Sequence, residues 1–104
     1  MKQAETEFRE AIRLDPGYAS AHNGLGTALK MRGDIDGAVK AWEKALELKP
    51  DFAFPLYNLG LVYIAKGDLS RALGYLLRYK EKFYGSLSAS EKAKLDSLIA
   101  ACRR

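Results

Sequence analysis

Residues 25–50 read LGTALKMRGDIDGAVKAWEKALELKP, and residues 59–84 read LGLVYIAKGDLSRALGYLLRYKEKFY. At an offset of 34, Leu25-Gly26 falls on Leu59-Gly60, Gly33-Asp34 on Gly67-Asp68, and Ala38 and Trp42 on Ala72 and Leu76. The same period reaches back to the start of the chain. There Ala4, Phe8, Ala11, Leu14 and Pro16 correspond to Ala38, Trp42, Ala45, Leu48 and Pro50. Small, turn-forming and apolar residues sharing one period of this length specify a stack of similar units, and such stacks are binding scaffolds.

Within each period the pattern is helical. Ile35, Ala38, Val39, Trp42, Ala45 and Leu46 follow the i, i+3, i+4, i+7 spacing of an amphipathic helix. Asp34 precedes that stripe and can accept a bond from a free N–H of the first turn. Gly33 suits the left-handed residue that ends the helix before it. Pro16 and Pro50 stop the helices that carry Leu14 and Leu48, whereas Pro55 falls in a first turn, where proline is tolerated. The pattern predicts helices at about 1–14, 18–32, 35–48, 52–66, 69–84 and 88–102, and no strand. Gly26 and Gly60 occupy equivalent helical positions, which implies that the facing helix of the same unit approaches closely. Gly24 and Gly37 have no repeat partner, and periodicity gives no reason for them.

Composition sets the outer limits. The chain has 104 residues, 48% hydrophobic and 29% charged, enough for one domain with a modest core. No apolar run is long enough to span a bilayer, and membrane association is not expected. Residues 1–52 carry eight basic and nine acidic side chains, whereas residues 53–104 carry nine and four. The single cysteine, Cys102, excludes an intrachain disulfide and suits a reducing compartment, so a cytoplasmic location is expected. It lies on a helical face with Leu95, Leu98 and Ile99 and reads as a small buried hydrophobe.

These residues resemble the tetratricopeptide repeat family. Leu25, Gly26, Leu29, Gly33, Ala38, Trp42, Ala45 and Pro50 match its pattern in one unit. Leu59, Gly60, Tyr63, Gly67, Ala72 and Leu76 match it in the next. The resemblance implies an all-α fold, a right-handed α-solenoid of antiparallel helix pairs with about six helices and a C-terminal capping helix. Its expected parts, within a single domain, are 1–18 as the second half of a truncated repeat, 19–52 as a full repeat, 53–86 as a full repeat with a degenerate end, and 87–104 as the cap. His22 and Leu56 stand where the family often has tryptophan. Tyr79 replaces a small residue and Tyr84 a proline. Ser88 and Glu91 have capping-box spacing ahead of the last helix, on which Lys92, Lys94, Asp96 and Arg103 are expected to face water.

At the other end, the helix at about 1–14 has no preceding partner. The chain is expected to be cut from a longer array, or to receive the missing surface from another molecule, with Phe8 and Ile12 exposed.

Chemistry finds few residues to work with. His22 lies on the stripe of Leu25 and Leu29 and reads as structural. No second histidine or cysteine offers metal-ligand spacing, and no phosphate-binding loop follows a strand. Neither an enzyme nor a cofactor or metal site is expected. The resemblance instead nominates a peptide-binding groove lined by the first helix of each unit: Asn23, Thr27 and Lys30, then Phe54, Tyr57, Asn58, Leu61 and Ile64. The helix carrying Phe54, Tyr57, Leu61 and Ile64 has a second apolar face, Leu56, Leu59, Gly60 and Tyr63, which the repeat assigns to the core. Either the last helix or a second copy covers the first face, or it receives a peptide with apolar anchors. A carboxylate clamp of the kind that holds chaperone tails is not expected, because only Asn58 fits it.

The leading expectation is a non-catalytic protein–protein interaction scaffold with a protein or peptide ligand. The alternatives are a self-assembling module that uses exposed apolar helix faces, with the N-terminal helix at a homo-oligomer contact, and, more remotely, nucleic-acid binding. The last would use Arg71, Arg78, Lys80, Lys82, Lys92, Lys94, Arg103 and Arg104 beside Tyr75 and Tyr79.

Overall fold

The computed structural model describes residues 2–103. They form α1 (Lys2–Leu14), α2 (Ala19–Met31), α3 (Ile35–Leu48), α4 (Ala53–Lys66), α5 (Leu69–Phe83), a short 3₁₀ turn (Tyr84–Ser86) and α6 (Ala89–Cys102). No strand occurs among the described residues, and the fold is all-α as expected. Arg104, named above, lies outside the described residues, as does the first residue of the helix expected at 1–14. The chain divides into two compact units, one ending at Pro55 and one starting at Leu56.

The Gly-Asp turns account for the short connections. Gly33 and Gly67 take φ of +94° and +81°, the left-handed conformation that a Cβ would strain. The N–H of Asp34 then reaches back to the Leu29 carbonyl at 2.8 Å, and that of Asp68 to Tyr63 at 2.9 Å, which satisfies carbonyls left free at the helix end. The two aspartates start the next helix, accepting from the N–H of Gly37 at 2.9 Å and of Arg71 at 3.2 Å. A Cβ at Gly37 would sit 2.5 Å from the Asp34 carboxylate, yet Arg71 carries one at the equivalent place beside Asp68, so the cap alone does not require the glycine.

In the first unit the core is built where α3 meets α2. Trp42 is 1% exposed and lies against the backbone of Gly26, where a Cβ would come within 2.5 Å of the indole. Its Nε1–H donates to the Asn23 carbonyl at 3.2 Å, so the buried ring keeps a polar partner. Ala38 and Ala45 are fully enclosed on either side of it. His22 is buried, and its Nε2 bonds the Pro16 carbonyl at 3.0 Å, tying α2 to the turn that precedes it.

On the other side of α2, the Phe8 ring of α1 presses against the backbone of Gly24, and this contact explains a glycine that periodicity left without a reason. Glu5 reinforces the α1–α2 contact by receiving Arg32 at 2.8 and 3.2 Å. Hydrogen bonds from Arg32 and then Arg9 hold its carboxyl below the usual glutamate range. Phe8 and Ile12 are therefore half-buried, not exposed as expected.

The second unit repeats the device with a different side chain. Leu76 of α5 lies on Gly60 of α4, where a Cβ would meet it at 2.6 Å. Beside it Tyr63 and Tyr75 stack at 5.9 Å with rings 4° from parallel. Pro55 is buried in the first turn of α4, where its missing N–H leaves no bond unmade. The full capping box of Ser88 and Glu91 starts α6. The helix buries Leu95, Ile99 and Cys102 and packs on α5.

Asp96 faces water in part, its side chain 44% exposed, but it also accepts from the Tyr84 hydroxyl at 2.7 Å and from Lys80 at 2.9 Å, bonds that the helical pattern did not show. Lys92 also reaches Tyr84, its ammonium 5.2 Å from the centre of the ring. Helical periodicity treats a charged residue as solvated, and it misses a tyrosine that arrives from the preceding turn.

Two outcomes follow from this packing. Gly26→Ala destabilises by about 1–3 kcal/mol in urea unfolding, because the rigid indole cannot yield. Gly74→Ala, at an exposed helical site with nothing near its Cβ position, stabilises by about 1 kcal/mol. The Tyr84 and then Lys80 hydrogen bonds depress the Asp96 carboxyl. Its contribution to stability is thus present above the ordinary aspartate range and lost as pH falls through the lower folded value. Hydrogen exchange should show α6 losing protection relative to α5 on acidification, and Asp96→Asn should reduce that pH dependence.

Candidate functional site

The side chains of α4 divide between two apolar faces. Leu56, Leu59, Val62 and Tyr63 are buried with Gly60, as the repeat pattern requires. Tyr57, Leu61 and Ile64 are half-buried on the other side, with Asn58 next to Tyr57. Tyr57 does not stand alone, since Tyr79 of α5 lies 5.3 Å away, centroid to centroid, and Phe83 lies 5.4 Å beyond Tyr79. In the sequence Tyr79 stood out as a departure from the repeat and as a neighbour of the basic residues, not as part of this face. The signal for a shared aromatic row was the i, i+4 spacing of Tyr79 and Phe83 along α5. Burial, then Glu91 and Tyr57, push the Tyr79 hydroxyl above the usual tyrosine range, so it stays protonated and able to donate.

The remaining expected site residues lie in the first unit. Phe54 is 67% exposed, its ring edge-on to Phe52 at 6.4 Å. Lys30 is exposed near the end of α2. Thr27 donates its hydroxyl to the Asn23 carbonyl at 3.3 Å. The amide oxygen of Asn23 is enclosed and has no hydrogen-bond partner among the described residues. Thr27 also lines a cleft of about 370 Å³ between α1 and α2, together with Ala4, Phe8, Gly24, Ala28 and Met31.

Several basic side chains of the second unit are engaged by their own neighbours. Arg71 pairs with Asp68 at 3.5 Å and lies 5.6 Å from the Tyr63 ring centre. Arg78 covers Tyr75 at 5.8 Å, and Lys80 is bound to Asp96. Among the described residues no group of His, Cys, Asp and Glu is arranged to hold a metal ion, and no helix is long and apolar enough to cross a membrane.

Comparison with known proteins agrees with the repeat. A tetratricopeptide repeat model matches residues 7–40 and a TPR repeat model matches 27–67. Together they span more than half of the chain. The peroxisomal targeting signal receptor of Saccharomyces cerevisiae is 36% identical over 70 residues, covering 67% of this chain and 11% of the receptor. A TPR repeat-containing protein of Pseudomonas aeruginosa is 45% identical over 67 residues, covering 64% of this chain and 27% of that protein. The chain thus spans well under two thirds of the length of these curated relatives. Among solved structures, the Yersinia enterocolitica type III secretion chaperone SycD, in complex with a peptide of the translocator YopD, superposes with a TM-score of 0.86. It is 18% identical, and the match covers 98% of this chain and 79% of SycD.

Proposed function

The chain belongs to the tetratricopeptide repeat family, and from that premise we propose that it is a non-catalytic scaffold whose α4–α5 surface takes up an apolar segment of a protein partner. The observation that carries the proposal is the second apolar face of α4. Repeat packing needs only the face of Leu56, Leu59, Gly60 and Tyr63. Tyr57, Leu61 and Ile64 add a further apolar stripe, joined by Tyr79 and Phe83 into an aromatic row within the second unit. Rigid aromatic rings lose little conformational freedom on contact and act as anchors.

The roles follow from the side chains. Tyr57 and Leu61 enclose an apolar anchor of the ligand, and Ile64 extends the strip by one turn. Asn58 lies beside them and can both donate to and accept from a peptide backbone. The tyrosine hydroxyls offer further donors at the edge of the row. That SycD holds a peptide supports this reading, as does the name of the yeast relative, a receptor for a targeting signal. A cytoplasmic setting is part of the proposal, supported by the one buried thiol, Cys102.

The test is a peptide selected from a displayed random library on the full chain, its affinity then measured by calorimetry. Each enclosed anchor is worth about 2 kcal/mol. Tyr57→Ala combined with Leu61→Ala should therefore weaken binding by about a hundredfold or more, with helicity by circular dichroism unchanged. Unaltered affinity in that double variant removes the α4 surface from consideration.

A further inference from the structure

The aromatic row of the second unit is selective about the segment it can hold. Tyr57, Tyr79 and Phe83 follow one another at 5.3 and 5.4 Å between ring centres. Neighbouring rings are inclined by 43° and 38°, so they open wedges instead of closing face to face. All three residues are half-buried, which leaves part of each for a ligand to touch. Two such steps come close to one turn of a polyproline II helix, three residues at a rise of about 3.1 Å each.

The polar atoms along the row favour the same conformation. Tyr57 and Tyr79 bring hydroxyls, and that of Tyr79 stays protonated and able to donate. A polyproline II segment has no internal hydrogen bonds, and its prolines have no N–H, so it presents carbonyls that need donors. A helical ligand satisfies its own backbone and would leave these hydroxyls unused.

Charge narrows the choice further. Residues 53–104 carry nine basic and four acidic side chains. Asp68 pairs with Arg71, Asp96 accepts from Lys80 and Tyr84, and Glu91 caps α6 by accepting the Ser88 N–H at 2.9 Å. The positive charge of this half exceeds what its own acids neutralise, and it attracts an acidic ligand.

Taking the α4–α5 surface as the binding site, as proposed above, we infer that its partner is a proline-rich segment with acidic flanks. It lies in the polyproline II conformation across Tyr57, Tyr79 and Phe83, and its carbonyls accept from the two tyrosine hydroxyls.

The probe is a synthetic peptide of three proline–proline–leucine triplets between pairs of glutamates. It is titrated into the isotope-labelled full chain and followed by amide NMR shifts. Saturable shifts at Tyr57, Asn58, Tyr79 and Phe83 are expected, with affinity falling as salt is raised. Replacing the prolines by glycine should weaken binding by about tenfold or more, because the ligand is no longer preorganised. Exchanging its glutamates for lysines should weaken it as well. Tyr79→Phe, which keeps the ring and removes only the donor, should cost about threefold or more. No shifts at millimolar peptide, equal affinity of the glycine or lysine peptide, or indifference to Tyr79→Phe would each overturn the inference. The library-selected peptide separates that failure from failure of the surface. A selected peptide without proline, lost on Tyr57→Ala with Leu61→Ala, keeps the α4–α5 site and removes its proline-rich ligand. If neither peptide binds this surface, both readings fall.

Discussion

A large side chain pressed onto bare backbone is the contact on which the rest of this fold depends. Trp42 lies on Gly26, Leu76 on Gly60 and Phe8 on Gly24. In each case the missing Cβ lets two helices close to a distance that alanine would prevent. A helix-interior glycine costs about 1 kcal/mol in propensity, and full burial of an aromatic or leucine side chain offsets that by about 1.5–3 kcal/mol. The balance is favourable only where the ring or leucine actually arrives. Gly74, with nothing beside it, keeps the cost and gains no contact.

The helix pairs were legible in the sequence because their punctuation is local. Gly33-Asp34 and Gly67-Asp68 state where one helix ends and the next begins, and the structure uses both residues as read. Gly26 and Gly60 were legible because they recur. Gly24 was not, since it answers to a single residue, Phe8, whose placement depends on tertiary geometry. The bonds of Asp96 were not legible for a related reason. Its partners Lys80 and Tyr84 come from α5 and the turn after it, and a helical wheel drawn for α6 alone cannot contain them.

The candidate surfaces were legible in part. Amphipathic counting identified the surplus apolar face of α4. It did not bring Tyr79 and Phe83 to that face, because pairing a residue of α4 with one of α5 needs the register between two helices. Tyr79 and Tyr84 entered as departures from a repeat pattern and acquired tasks in the structure, one in the aromatic row and one in holding α6. The departures from the repeat in this half of the chain are the places where the second unit packs differently from the first.

The placement of Trp42 also governs what can be seen of this protein in solution. It is the only tryptophan, and its indole is sealed between α2 and α3 in the first unit. Intrinsic fluorescence therefore watches that unit, whereas far-ultraviolet dichroism sums over all the helices. If the two units unfold as one, the two signals share a midpoint; a repeat architecture with separable units divides them. One buried ring thus makes the cooperativity of the array directly observable, with no label added.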